Sequence, residues 1–155
     1  MPLSQTEADR LLRLPKQFHS SQDQIEFRRS AFRERYDLFE IDGRERFLLD
    51  LERSQIRTAA LKFQTRARTV FILARLDING RAHRNPQDAP HRPGQRLVGT
   101  HLHVYREGFG DRVAFLPQDI PQFSTNPLAD EVGWLVAFLR FSGVQSLPTI
   151  QTTMV

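Results

Sequence analysis

The sequence predicts an α+β fold: an antiparallel meander of about six strands with an N-terminal and a C-terminal helix packed on one face. Two observations carry this. Short segments with two-residue alternation follow one another through the middle of the chain, separated by turn signals, whereas helical spacing occurs at the two ends. There is no internal repeat and no linker-like stretch, so residues 1–155 read as a single domain with a core at about 25–142 and a tail at 143–155.

Residues 4–14 read as a helix. Ser4 suits the N-cap, Glu7 stands three residues on as in a capping box, and Leu11, Leu12 and Leu14 give an apolar side before Pro15. Residues 18–24 are a polar connection. Strands at 36–41 and 46–52 flank Asp42-Gly43, a pair that tolerates positive φ and so suits a tight hairpin. In the second arm Phe47, Leu49 and Leu51 face one way; Leu48, Asp50 and Glu52 face the other.

Two further strands are expected at 56–64 and 69–78. In the latter, Val70, Ile72, Ala74 and Leu76 form one side, and Phe71, Leu73, Arg75 and Asp77 the other. Asn79-Gly80 opens a long loop, residues 81–99, with three prolines and with His83 and His91; loops of that length are commonly functional or mobile. A last hairpin pairs 100–107 with 112–116 across Gly108-Phe109-Gly110-Asp111. Leu128, Val132, Leu135, Val136 and Leu139 then recur at helical spacing, widened by Trp134 and Phe138. Asn126 is the expected cap and Pro127 the first helical position of a helix over 128–141, which Gly143 stops. Residues 146–155 show no clear element.

Composition narrows the chemistry. With 39% hydrophobic and 26% charged residues the chain lies in the globular range. It has no cysteine, which excludes a disulfide scaffold, a thiol nucleophile and a thiolate zinc site. No signal-peptide pattern opens it and no apolar run reaches ~18 residues, so a soluble cytoplasmic protein with no membrane partner is expected. The net charge of +4 is unevenly spread. Residues 1–52 sum to −2, residues 53–106 to +9 and residues 107–155 to −3, so positive charge concentrates before the motif at 101–107 and favours a polyanionic partner.

That motif is His-Leu-His-Val-Tyr-Arg-Glu. On a strand, His101, His103, Tyr105 and Glu107 share one face while Leu102 and Val104 take the other. If the terminal helix covers the apolar face, Arg75 and Asp77 join the histidines on the open one. The loop at 81–99 folds over it with His83, Arg84, Arg92 and Arg96.

Three functional readings follow. In the first, the face is a metal-independent endoribonuclease of toxin type with no cofactor. One histidine takes the 2′-hydroxyl proton, the other or Glu107 protonates the leaving oxygen, and Arg75 or Arg106 with Tyr105 stabilises the phosphorane-like charge. Arg66, Arg68, Arg81, Arg84, Arg92 and Arg96 then hold the RNA substrate, and a neutralising partner protein (an antitoxin) is expected. In the second, His101, His103 and Glu107 bind one divalent transition metal, completed by His83 or Asp77, for a hydrolase or oxygenase. This order resembles the first metal-binding motif of cupins, though no second motif follows. In the third, the chain is a non-catalytic nucleic-acid- or protein-binding module. Against all three stands a solvated sheet face whose histidines are hydrogen-bonded.

Two segments carry a further resemblance: Arg75-Leu76-Asp77-Ile78-Asn79-Gly80 running to His83-x-Asn85-Pro86, and His101-Leu-His-Val-Tyr-Arg-Glu-Gly-Phe109. They resemble a family of small uncharacterised bacterial and mobile-element proteins over roughly residues 36–116. The family transfers no mechanism. The resemblance implies that Asp77, His83, Asn85, His101, His103, Tyr105, Arg106 and Glu107 form one constellation, and the loop around Pro90-His91-Arg92-Pro93-Gly94 is longer than its pattern.

Overall fold

The computed structural model describes residues 2–124 and 130–153. Its order is α1 (Gln5–Arg13), β1 (Lys16–Phe18), a 3-10 turn (Ser20–Gln22), β2 (Gln24–Arg28), β3 (Phe32–Glu40), β4 (Arg46–Arg53), β5 (Leu61–Ala67) and β6 (Phe71–Ile78). There follow β7 (His83–Arg84), β8 (Arg96–Leu97), β9 (His101–Val104), β10 (Ala114–Phe115), a 3-10 turn (Pro117–Asp119), α2 (Pro121–Ser124), α3 (Glu131–Phe141) and β11 (Thr149–Thr153). Seven strands form one antiparallel sheet in the order β1-β3-β4-β5-β6-β9-β10. The α+β class and the meander are those the sequence predicts.

One face of this sheet is the core. Leu38, Leu49, Leu51, Phe63, Leu76 and Leu102 are fully buried on it, against Leu11 of α1 and Leu135, Phe138 and Leu139 of α3. Ser4 caps α1 as its type suggests, its Oγ accepting from the Glu7 N–H. The C-terminal ends of α1 and α3 meet over β1. There the Lys16 ammonium donates to the Leu11, Leu12, Leu14 and Ser142 carbonyls at 2.6 to 3.1 Å, filling acceptors that helix ends leave open. Gly143 is required at this junction. Its φ is +91°, and a Cβ would collide with the Leu14 carbonyl oxygen. At its other end α3 is tied to the sheet by buried Arg53, whose guanidinium grips the Glu131 carboxylate and the Arg28 carbonyl.

Several boundaries differ from expectation, each for a local reason. The Ser54 hydroxyl accepts from the Ile56 and Arg57 N–H groups and turns the chain, so β5 begins at Leu61 and Ile56 is exposed. The β5–β6 turn is made by Arg68 and Thr69 at φ +50° and +64°, which leaves Val70 exposed rather than in the strand; Asp42 and Gly43 use no positive φ. Thr65 pairs with Ala74 but Arg66 with Ile72, so Leu73 is an extra residue and both Leu73 and Ala74 are buried. The 81–99 loop holds the β7–β8 ribbon. Residues 149–153, expected to be structureless, pair in parallel with β2, and Val144 bridges Lys16. Asp130 caps α3 through Gly133, and the expected cap Asn126, with Pro127 and Leu128, lies outside the described residues. Among the described residues no helix is long and apolar enough to cross a membrane.

Candidate functional site

Strand register assembles the open face in two rows, since directly opposed residues point the same way. One row runs Arg33, Glu52, Lys62, Asp77, His101 across β3, β4, β5, β6 and β9; the next runs Arg35, Asp50, Gln64, Arg75, His103. At the β3 end the charges are satisfied by one another. Arg33 pairs with Glu52, and Asp50 accepts from Arg35, Gln64 and Arg66. The chemistry gathers at the β9 end.

There the β7 ribbon brings His83 over the two strand histidines. The ring centroids of His83 and His103 are 4.6 Å apart, those of His101 and His103 4.9 Å, and those of His83 and His101 5.9 Å. His83 is fixed through Asn85, buried in the ribbon. The Asn85 amide donates to the His91, Arg92 and Ala114 carbonyls, and its oxygen accepts from the Ala114 N–H. The 81–99 segment is therefore stapled down. A second staple sits beside it, with Asp119 accepting from Arg92 and His91 while His91 stacks on Phe115.

Hydrogen-bond partners define the ring tautomers. His101 Nδ1 faces the Gly99 carbonyl at 2.9 Å and His103 Nδ1 faces the Asp111 carbonyl at 2.8 Å, so both Nδ1 atoms carry protons. Their Nε2 atoms turn toward Asp77 Oδ2, at 3.4 and 3.5 Å. His83 is the reverse. Its Nε2 faces the Arg112 carbonyl and Asn85 Oδ1, which leaves Nδ1 as the bare nitrogen of the neutral ring. Arg75 completes the cluster: Nε and Nη2 grip the Asp77 carboxylate at 3.0 and 3.3 Å, Nη2 lies 3.0 Å from His103 Nε2, and Nη1 reaches Asp111.

Electrostatics follow from this packing. Burial pushes the His103 imidazole below its ordinary value, with Arg75 adding to the effect against the pull of Asp77, so His103 is neutral and accepts from Arg75. Burial alone raises Asp77. Its contact with His101 and the charge of Arg75 outweigh that and hold the carboxyl well below the usual range, so it stays ionised. The cluster forms one wall of a cleft of about 760 Å³ whose other walls include Arg33, Ile56, Lys62 and Arg81.

Of the expected residues, the fold brings together Arg75, Asp77, His83, His101 and His103. It does not bring Tyr105, Arg106 or Glu107. The regular strand ends at Val104, where the extra residue Leu73 in β6 puts Tyr105 N–H on the Leu73 carbonyl and shifts the alternation. Tyr105 turns into the core, its hydroxyl accepting from Leu3 N–H and donating to Leu3 O. Glu107 caps the start of α1 by accepting from Gln5 N–H, and Arg106 lies over Phe115. The metal set His101, His103, Glu107 is thus not assembled; Asp77 stands where Glu107 was expected, and the ligand-type atoms of Asp77, His101 and His103 lie within 4.8 Å of one another.

The arginines expected to hold nucleic acid divide in the same way. Arg66 is engaged by Asp50, Arg68 by Glu45, Arg84 by the Gly94 carbonyl and Arg92 by Asp119. Arg81 lines the cleft, and Arg96 is exposed on β8. Sequence reasoning missed Lys62 and Asp111. Lys62 was legible only through register, as the residue opposite Asp77, and Asp111 sits in a glycine-rich turn whose residues read as connection.

The model of a family of unknown function (DUF6978) matches residues 3–144. No curated protein and no solved structure matches the chain.

Proposed function

We propose that this chain, which belongs to the DUF6978 family, a family of unknown function, cleaves RNA phosphodiesters by acid–base chemistry without a metal. The observation that carries the reading is the convergence of three imidazoles and an Arg75–Asp77 pair on one wall of a cleft. His83, half-buried and with Nδ1 bare, is the base for the 2′-hydroxyl. His101 is anchored through Nδ1, and through Nε2, which faces Asp77, it passes a proton to the leaving 5′-oxygen. Arg75 is held by Asp77 and Asp111 and stabilises the charge that grows on the phosphorane. His103 is a positioning residue, since its neutral Nε2 accepts from Arg75. The +9 charge of residues 53–106 supplies attraction for RNA. A cytoplasmic enzyme of this kind is toxic to its own cell, which calls for a neutralising partner protein. Cleavage of a single-stranded RNA in the presence of EDTA tests the reading; it is expected in the wild type and absent in His83→Ala and Arg75→Ala.

One observation favours a second reading, a hydrolase or oxygenase built on a divalent transition metal. Both strand histidines give Nδ1–H to a backbone carbonyl and turn Nε2 toward one carboxylate oxygen, the arrangement that orients imidazole ligands. Arg75 ranks it second. Its guanidinium already contacts His103 Nε2 and both Asp77 oxygens, so a cation there would have to displace one in place.

A further inference from the structure

The cleft continues beyond the histidine cluster, across β5 toward β4, and its cations are of two kinds. Arg33, Arg53 and Arg75 are each matched to a carboxylate: Glu52, Glu131, and Asp77 with Asp111. Lys62 and Arg81 are not. Both are exposed, both line the cleft, and neither side chain makes a hydrogen bond or ion pair among the described residues.

The position of Lys62 makes this unusual. In the sheet it lies between Glu52 and Asp77, two carboxylates directly opposite it on adjacent strands, and each is taken by an arginine instead. A lysine flanked by acidic residues ordinarily pairs with one of them. Here the arginines' forked geometry claims both oxygens of Asp77 and leaves the ammonium free. Arg81 approaches from the segment after β6, directly beyond Gly80, so two elements contribute one unpaired cation each. With strands spaced about 4.8 Å apart, Lys62 stands two strands, roughly 10 Å, from His101 along its row.

We propose that Lys62 and Arg81 form a phosphate-binding subsite that grips a backbone phosphate of single-stranded RNA next to the one at the histidine cluster. The inference rests on the reading of the cleft as an RNA-cleaving site and adds the part of the substrate that the cluster does not reach. The two cations hold phosphate by charge and reach rather than by base contacts, so recognition there is sequence-independent.

Binding of a fluorescein-labelled, single-stranded 2′-O-methyl oligoribonucleotide tests it, since the blocked 2′ position prevents cleavage and affinity is read alone. The salt dependence of Kd is measured for the wild type, Lys62→Gln, Arg81→Gln, the double variant, and Arg140→Gln on the exposed side of α3. The two cations hold one phosphate, and each neutralised phosphate contributes about 0.7 to the slope of log K against log salt for a single strand, so the double variant is expected to lose about 0.7 and to bind roughly tenfold more weakly at low salt. Arg140→Gln is expected to keep the wild-type slope. An unchanged slope in the double variant, or no binding by the wild type, overturns the subsite. RNA cleavage is followed in parallel. If the slope is unchanged while cleavage still requires His83, the subsite fails and the nuclease reading stands; if the slope falls but His83→Ala has no effect on cleavage, the subsite stands and the nuclease reading fails.

Discussion

Asp77 is approached by both strand histidines of the cluster and by Arg75. Asp77→Asn keeps the shape but removes the charge that holds Arg75 and faces His101. Cleavage is expected to fall roughly 10²- to 10⁴-fold, measured as kcat on single-stranded RNA. The same residues contribute to the acid sensitivity of the fold, beside Asp50 and Asp119, whose carboxyls are also held low. His103 lies below its ordinary value in the folded chain, so as pH drops below about 6.5 the unfolded chain takes up a proton that the folded chain does not, and stability declines. Asp77 is held low, so its contribution is present above the unfolded carboxyl value of about 3.9 and is lost as pH falls toward its folded value. Urea unfolding from pH 7 to 3 is expected to show the midpoint falling below about 6.5 and more steeply below about 4. A midpoint flat between pH 7 and 5 would show that His103 is not held neutral.

At the scale of elements, the parts that escape sequence reading are those where one residue shifts a pattern. Arg75 and Asp77 were legible because alternation holds over the last residues of β6, and His101 and His103 because it holds over β9. Tyr105 and Glu107 were misplaced because alternation was carried past Val104, and no turn residue announces the extra Leu73 across the ladder. Tyr105 docks α1, so Tyr105→Phe is expected to lower stability by about 1 kcal/mol while leaving kcat as it is, whereas a catalytic phenol would show a loss of kcat. The β5–β6 turn was hidden because Arg68 and Thr69 occupy the left-handed region that Gly or Asn usually marks. Thr69→Gly relieves a β-branched residue there and is expected to stabilise the fold by about 1 kcal/mol in denaturant unfolding. In the ribbon, Asn85→Asp would turn a donor facing three carbonyls into an acceptor. A loss of roughly 3 kcal/mol is expected, with His83 released from its place.

For the whole molecule, the class and the meander follow from patterning that spans many residues and tolerates local errors. The middle strands alternate, the end segments have helical spacing, and the helices cover the apolar face. What composition cannot convey is pairing. The +9 segment read as a basic surface, yet Arg53, Arg66, Arg68, Arg75 and Arg92 place their charge on carboxylates drawn from all along the chain, and the Lys62 and Arg81 side chains stay unpaired among the described residues. Family membership extends over residues 3–144, beyond the two segments that carried the resemblance, and so takes in α1 and α3 as well as the cluster. The proposed activity is cleavage of RNA by an arginine-clamped imidazole cluster with no metal. The most direct test is cleavage of a single-stranded RNA by the purified chain with excess EDTA. Cleavage at the rate seen without chelator is expected; cleavage abolished by EDTA and restored by a divalent transition metal would overturn the metal-independent reading.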